Sequence, residues 1–236
     1  MESEKTHNRR KSEYQWTSSA PESLSEEEMQ WLFSSSPAVY LAANEILFTP
    51  EEEANKLFIL VEGKIRVYAL RSDGRELTLD TVGSGILFGE TAFTAQPLPR
   101  AYAQALEPSV VIPISCSELQ ELILQHPAVG IWTIRLLSAR LGLYQNRLED
   151  LGLKDTIGRL ASVILQLIES EGVMTRRGYK LPRHYTHGYL GTLTGTSREA
   201  VTRAFAELQD REAVELIRRR IYVKNIVVLK HVAALR

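Results

Sequence analysis

The sequence predicts an α+β protein built from an N-terminal β-roll or sandwich, a long helix and a C-terminal winged helix. Short strand-like runs separated by glycine-containing turns fill the region from Val39 to Ile114. A heptad pattern follows from Ile134 to Leu151, and three helical segments and a hairpin complete the chain. The change from strand-like to helical patterns therefore divides the chain into a β-rich part and a helical part.

Composition excludes several classes of protein. The 236 residues are 44% hydrophobic and 24% charged, with a net charge of -1, which is enough apolar material for real cores. No stretch approaches about eighteen uncharged apolar residues, and no apolar segment follows the polar N-terminus. We therefore expect a cytoplasmic protein without a membrane span or a secretory signal. The sequence contains no nucleophile–base–acid grouping and no P-loop, so an enzyme is not expected.

Cysteine and histidine usage argues against most metal centres. Cys116 is the single cysteine, which excludes an intrachain disulfide, a four-cysteine zinc site and an all-cysteine iron–sulfur cluster. The only histidine in the β-rich part is His126, beside Pro127, where a residue at a helix end is expected rather than a haem ligand. His184 and His187 are three apart without a third ligand nearby, so we predict no metal site.

The first part of the chain divides into an arm and a β-roll. Residues 1–22 are polar, lack a hydrophobic period and are predicted to be a disordered arm. The β-roll is assigned to residues 23–127, and a capping box at Ser23–Glu26 opens a short helix through Phe33. The predicted strands are Glu45–Phe48, Leu57–Val61, Lys64–Leu70, Leu77–Thr81 and Ser109–Ile114.

A long helix over residues 128–155 follows a shorter one that a capping box opens at Ser115–Glu118. Apolar and aromatic residues on the long helix are spaced alternately three and four apart, as in a coiled-coil seam. This stripe consists of Ile134, Leu137, Leu141, Tyr144, Leu148 and Leu151. The spacing predicts a dimer interface, and the alternative is a helix packed on its own domain.

Charge separates the last part, residues 156–236, from the rest. It holds 14 Lys and Arg against 7 Asp and Glu, whereas the first 155 residues hold 14 against 22. A basic unit on an acidic body is typical of a protein that meets a polyanion. Helices are predicted near Thr186–Leu193 and Thr196–Arg211, followed by a hairpin of Val214–Ile217 and Ile221–Val223.

The two helices have the pattern of a helix-turn-helix. Gly195 suits the turn, Leu190 the core, and Gly191 the point where the helices cross. Val201, Phe205 and Leu208 form one buried stripe on the second helix. Thr194 departs from the pattern, because an apolar residue is more usual just before the turn.

Residues suited to DNA lie at the start of the second helix, the end that enters the major groove in helix-turn-helix proteins. Arginine can bond guanine bidentately, and glutamate can accept from cytosine. The predicted DNA-binding residues are Thr196, Ser197, Arg198, Glu199, Thr202 and Arg203, with Arg218, Arg219 and Arg220 of the hairpin on the flanking backbone. Thr196 to Glu199 can also be read as a capping box, which is the structural alternative for that glutamate.

A family resemblance rests on three segments. The first is the run Val61-Glu62-Gly63-Lys64-Ile65, and the second is Gly85-Ile86-Leu87-Phe88-Gly89-Glu90 with a later Arg100. Both precede the predicted dimer helix, and the third segment, the helix-turn-helix, follows it. The chain thereby resembles the catabolite activator / fumarate-nitrate regulator (Crp/Fnr) family of bacterial transcription factors, over roughly residues 30 to 230. The resemblance implies a cyclic-nucleotide-binding-like β-roll, a long dimerisation helix and a C-terminal winged helix-turn-helix.

The resemblance also implies an effector site. It would be formed by Phe88, Gly89, Glu90, Arg100, Ala101, Arg140, Tyr144 and Gln145. In the family's cyclic-AMP binders the Gly-Glu pair meets the ribose and the arginine meets the cyclic phosphate. Here Ala101 replaces a serine, Tyr144-Gln145 replace the Thr-Ser pair that contacts adenine, and Arg140 adds positive charge. Cyclic AMP, another small anion such as 2-oxoglutarate, and no effector therefore remain as alternatives.

The resemblance implies double-stranded DNA, a second copy of the chain and RNA polymerase as partners. Arg198, Glu199 and Arg203 match the activator's Arg-Glu-x-x-x-Arg pattern, which predicts a palindromic site with TGTGA-like halves. Two alternatives remain at this stage: a regulator that is controlled by its abundance, and a cyclic-nucleotide-binding module that acts on a protein partner.

Overall fold

The computed structural model describes residues 17–18, 36–50, 56–89 and 101–234. Within these residues, nine strands form the N-terminal roll as two sheets, with the orders β1-β6-β5-β8-β3 and β2-β9-β4-β7. The strands are β1 Thr17–Ser18, β2 Val39–Leu41, β3 Ile46–Phe48, β4 Lys56–Glu62, β5 Ile65–Leu70, β6 Glu76–Val82, β7 Ile86–Phe88, β8 Ala101–Ala105 and β9 Ser109–Ser115. The five strands expected from the sequence are present within one residue at each end, whereas β2, β7 and β8 were not predicted.

The core of the roll lies between the two sheets and under two helices. Leu57, Ile59 and Ile65 are almost completely buried between the sheets. The helices α1 (Cys116–Gln125) and α2 (Pro127–Leu153) add residues such as Leu119 and Trp132 to the same core. The side chain of Ser115 caps α1 in the reciprocal arrangement with Glu118 that the sequence predicts.

The C-terminal unit has its own core, formed by four helices and a small sheet. Its elements are α3 Thr156–Glu171, β10 Val173–Thr175, β11 Gly178–Lys180, α4 His187–Thr194, α5 Arg198–Asp210, β12 Val214–Ile217, β13 Arg220–Val223 and α6 Ile226–Ala234. The sheet order is β10-β11-β13-β12, so the predicted hairpin is joined by a second one. The hairpin β10–β11 and the helix α6 were not predicted.

The predicted disordered arm requires a correction. Thr17–Ser18 pairs in parallel with Thr81–Val82 of β6, so these two residues are part of a sheet. Edge strands expose unpaired backbone groups, and even a polar segment without a periodic pattern can add hydrogen bonds there. The predicted helix from Ser23 to Phe33 lies outside the described residues. No helix in the described part of the chain is long and apolar enough to cross a membrane.

Candidate functional site

The turn between α4 and α5 is closed by Gly195, which has a φ of +67°. This left-handed conformation is natural for glycine and strained for other residues. At Gly191, a Cβ would lie 2.7 Å from the Thr196 carbonyl oxygen, so any side chain would push the helices apart. Thr194 is buried, and its hydroxyl donates to the Leu190 carbonyl at 2.9 Å. A threonine is tolerated at this position because its own helix satisfies the hydroxyl.

The second helix, α5, buries the stripe predicted for it, since Val201, Phe205 and Leu208 are all at most 1% exposed. The structural alternative for Glu199, a capping box with Thr196, is not formed. The N-cap is Ser197, which accepts from the Ala200 amide at 3.2 Å. Thr196 belongs to the turn instead, and its amide donates to the Gly191 carbonyl at 3.0 Å.

Polar side chains at the start of α5 lie exposed on the surface. They are Ser197, Arg198, Glu199, Thr202 and Arg203. Hydrogen bonds from its own backbone amide and with Ser197 lower the pKa of Glu199, which favours the carboxylate. Within the described part of the chain, neither Arg198 nor Arg203 forms an ion pair. The two guanidinium groups are therefore available to an anionic partner.

His187 of the first helix, α4, contacts this surface. Its Nδ1 lies 2.9 Å from the Thr202 hydroxyl, which donates to the Arg198 carbonyl. Partial burial and the nearby Arg198 charge lower the pKa of His187, so the neutral ring is favoured near pH 7. The contact ties α4 to the exposed face of α5.

The tip of the β12–β13 hairpin consists of Arg218 and Arg219, both exposed and both with positive φ, at 47° and 63°. Two successive left-handed residues form the tight turn that matches the twist of a hairpin. Arg220 differs, because its guanidinium donates to the Pro182 carbonyl. An exposed helix start together with a basic hairpin tip is the combination with which winged helices contact a major groove and the adjacent phosphates.

The predicted effector residues are only partly described, because Glu90 and Arg100 lie outside the described residues. Phe88 is 1% exposed and its ring lies 5.6 Å from that of Phe58, so it belongs to the core of the roll. Gly89 has a φ of +84° and close neighbours, which fits its place after β7. Ala101 pairs with Ala69 in the sheet, and Gln145 is exposed.

Arg140 and Tyr144 meet a carboxylate that sequence reasoning missed. Arg140 Nη2 lies 2.9 Å from Asp80 Oδ2, and both side chains are only 5% exposed. The same nitrogen lies 3.0 Å from the Tyr144 hydroxyl, which is 3.4 Å from Asp80 Oδ2. Arg140 Nη1 also reaches the carbonyl of Leu87 at 3.4 Å. The side chains of Asp80, Arg140 and Tyr144, here called the buried triad, therefore join β6 to α2 beside the strand that leads to Gly89.

Arg147, which was also missed, links three elements. One nitrogen donates to the Leu79 carbonyl of β6 at 2.8 Å and the other to the Leu193 carbonyl of α4 at 3.2 Å. Burial lowers the pKa of Arg147 to about 10, which still leaves it charged at pH 7. Arg140, Tyr144 and Arg147 are spaced four and three residues apart, so they lie on one face of a helix. This spacing is the sequence signal that could have predicted a polar inward face of α2.

The helix-turn-helix packs against the roll. The hydroxyls of Thr78 and Thr192 lie 3.1 Å apart, and the guanidinium carbon of Arg66 lies 5.7 Å from the Tyr189 ring centroid. A Cβ at Gly195 would lie 3.1 Å from Leu151 and 3.5 Å from Leu77. Leu151, predicted as a seam residue, thus contacts the turn, so movement of α2 or β6 would act directly on the helix-turn-helix.

Comparison with known proteins agrees with this architecture. The model of the cyclic nucleotide-binding domain matches residues 38–126, and that of the Crp-like helix-turn-helix domain matches residues 158–232. A CRP-like cAMP-activated global transcriptional regulator from Mycobacterium tuberculosis is 29% identical over 171 residues, covering 72% of this chain and 76% of that protein. The global nitrogen regulator of Synechocystis sp. is 24% identical over 188 residues, covering 79% of this chain and 84% of the relative.

A solved structure of a CooA variant from Carboxydothermus hydrogenoformans shares the fold. It superposes with a TM-score of 0.76 at 22% identity, covering 92% of this chain and all of the other. One conclusion follows from the order of roll, long helix and helix-turn-helix, from the exposed start of α5 and from the two matched domains. The chain belongs to the Crp/Fnr family of DNA-binding transcription regulators.

Proposed function

We propose that the protein is a homodimeric regulator that binds a palindromic site with TGTGA-like halves and acts with RNA polymerase in the bacterial cytoplasm. The observation that carries this proposal is the exposed start of α5, where Arg198, Glu199 and Arg203 extend from a helix whose opposite face is buried. Two such helices, related by a two-fold axis and one DNA turn apart, would read the two half-sites.

Binding to a TGTGA–six-base–TCACA duplex and to a scrambled duplex, followed by fluorescence anisotropy at two salt concentrations, tests sequence reading. Arg198→Ala should weaken specific binding by about 1–3 kcal/mol and relax the preference at one base pair. Arg211→Ala is the matched control, because Arg211 is exposed at the far end of α5 and pairs with Glu207. Equal weakening of both duplexes by Arg198→Ala would contradict base reading. Absence of duplex binding by the unmodified protein would favour a module that acts on a protein partner.

The dimer is supported by the exposed apolar stripe of α2. Ile134, Leu141 and Leu148 follow one another at seven residues and are 61%, 59% and 69% exposed. An exposed apolar seam with a heptad repeat is buried by a second helix of the same kind. Tyr144, which also falls in the heptad, contributes its hydroxyl to the buried triad instead of lying fully on this seam.

Sedimentation analysis of Leu141→Glu tests the seam. The substituted protein should be monomeric, because two glutamates would face each other across the two-fold axis. Leu124→Glu is the control, since Leu124 is 82% exposed on α1 and lies outside the stripe. A Leu141→Glu dimer as stable as the unmodified one would contradict the assignment of the interface.

The described residues favour a regulator whose DNA binding does not need cyclic AMP. Tyr144 stands where the resemblance places an adenine contact, and its hydroxyl is held by Arg140 and Asp80. Asp80 also neutralises the positive charge that Arg140 would otherwise offer to a dicarboxylate such as 2-oxoglutarate. Both small-anion alternatives are therefore less favoured than control by abundance or by another site.

The anisotropy experiment with and without cyclic AMP tests this point. Specific affinity should be unchanged by the nucleotide. The double variant Tyr144→Thr and Gln145→Ser restores the family's adenine-contacting pair. It serves as the comparison protein in the same assay, to test whether that pair creates a response to the nucleotide. An unmodified protein that binds DNA only with cyclic AMP would overturn the proposal of independence and would leave the DNA-binding assignment intact.

A further inference from the structure

A cavity of about 240 Å³ lies between the roll and the C-terminal unit, apart from the buried triad and from the exposed face of α5. Lys64, Thr81 and Leu106 line it from the roll. The C-terminal unit contributes residues of α3, of the segment before α4 and of α4 itself, including Arg183 and Tyr189. The volume is slightly below the usual range for drug-sized ligands, so it suits a compound of one or two rings.

Half of the residues that line this interdomain cavity are apolar or aromatic, and the other half are polar or charged. Val163 and Leu167 of α3 and Leu193 of α4 line it together with Tyr185 and Tyr189. The two tyrosine rings lie 6.0 Å apart between centroids and are tilted by 31°. Aromatic side chains favour contact with another aromatic ring, and the apolar part of the lining favours a planar hydrocarbon body.

The charged groups at the cavity are both cations, Lys64 and Arg183. Arg183 is engaged with Glu107 and lies 3.2 Å from Glu171, which also accepts from the Tyr185 hydroxyl. Lys64 is less well satisfied. Its ammonium, with a side chain only 14% exposed, lies 3.9 Å from Glu171, beyond hydrogen-bond distance.

Within the described part of the chain, no hydrogen bond to the Lys64 ammonium is found. Burial lowers the pKa of Lys64, and the charge of Glu171 opposes that effect. A half-buried ammonium of this kind gains from an acceptor that brings a negative charge, because charge-assisted hydrogen bonds are the stronger ones.

We infer that this cavity is a binding site for a small aromatic carboxylate, whose acid group binds Lys64 and whose ring lies against Tyr185 and Tyr189. Since the roll and the C-terminal unit both line the cavity, such a ligand contacts both units at once. The site is separate from the effector site that the family resemblance implies, and its occupation does not depend on the proposed function.

Isothermal titration calorimetry of the full-length protein with 2-naphthoate tests the inference, and 2-naphthamide serves as the neutral analogue. The acid should bind saturably at one site per chain, at least about ten-fold more tightly than the amide, as expected for a hydrogen bond between charged groups. Lys64→Met should weaken binding of the acid by about ten-fold or more. Lys224→Met, which removes an exposed cation remote from the cavity, should leave the affinity unchanged.

Ser170→Trp provides a second test that leaves the core intact. Ser170 is exposed at the edge of the cavity, and an indole there should block entry and abolish binding. The inference is overturned if the unmodified protein does not bind 2-naphthoate, if acid and amide bind equally well, or if binding survives both Lys64→Met and Ser170→Trp.

Discussion

Replacement of Asp80 by asparagine removes the negative charge of the buried triad and keeps the size of the side chain. Asp80 and Arg140 are both 5% exposed and lie 2.9 Å apart, so the substitution leaves the guanidinium charge in a low-dielectric site. Removal of one partner from a buried pair costs about 3–5 kcal/mol. Arg140 retains the Tyr144 hydroxyl and the Leu87 carbonyl, so we expect the lower end, about 3 kcal/mol.

Urea denaturation followed by tryptophan fluorescence measures this loss, because Trp132 is buried in the core of the same roll. A cycle with Arg140→Met and the double variant isolates the interaction between the two side chains. The double variant should be more stable than Asp80→Asn alone, since it removes the uncompensated charge. Asp73→Asn is the control, because the Asp73–Arg75 pair is exposed and should contribute no measurable stability. A loss below about 1 kcal/mol for Asp80→Asn, or strictly additive effects, would refute the reasoning.

Three further predictions concern the helix-turn-helix and its attachment. Gly195→Ala should lower the free energy of unfolding by about 1–3 kcal/mol, because alanine is strained in the left-handed backbone conformation. Gly188→Ala is the control in the same urea titration. It lies in a helix with open space around it and should be neutral or stabilising. Arg147→Met should cost about 1–3 kcal/mol by leaving two carbonyls without their donor, and an unchanged denaturation midpoint would contradict that role. The lowered pKa of His187 means that the folded state binds fewer protons than the unfolded state. The contribution of the neutral His187 to the free energy of unfolding is therefore present above about pH 6.5 and lost at lower pH. His187→Gln should flatten that pH dependence of the free energy of unfolding. Identical pH profiles for the variant and the unmodified protein would contradict this role of His187.

Local patterns predicted most of the regular structure. The stripe of Val201, Phe205 and Leu208 and the turn at Gly195 follow from helical spacing and from backbone sterics, which act over a few residues. The strands that were missed, β2, β7 and β8, are three to five residues long and have too few side chains to establish a period. The hairpin β10–β11 is stabilised by pairing with β13, a contact between segments that are distant in sequence.

The candidate site was predicted only in part for the same reason. The residue types at the start of α5 were sufficient to predict an exposed polar face there, although the N-cap is one residue later than the alternative capping box would place it. Asp80 stood unnoticed among strand residues because nothing local connects it with Arg140, sixty residues away. Arg147 was likewise not singled out, because the carbonyls of β6 and α4 that it reaches are distant in sequence.

The sequence by itself determined the order of roll, long helix and helix-turn-helix and the family, because these depend on periodicity, turn chemistry and short motifs. It also led to the prediction of which residues face DNA. Only the tertiary structure decided that Tyr144 and Arg140 are held by Asp80, that Arg147 joins the roll to the helix-turn-helix, and that Lys64 lines an interdomain cavity. Burial is the physical reason. A charged side chain becomes a partner, a link or a binding group only when the fold removes water from it and places specific groups beside it.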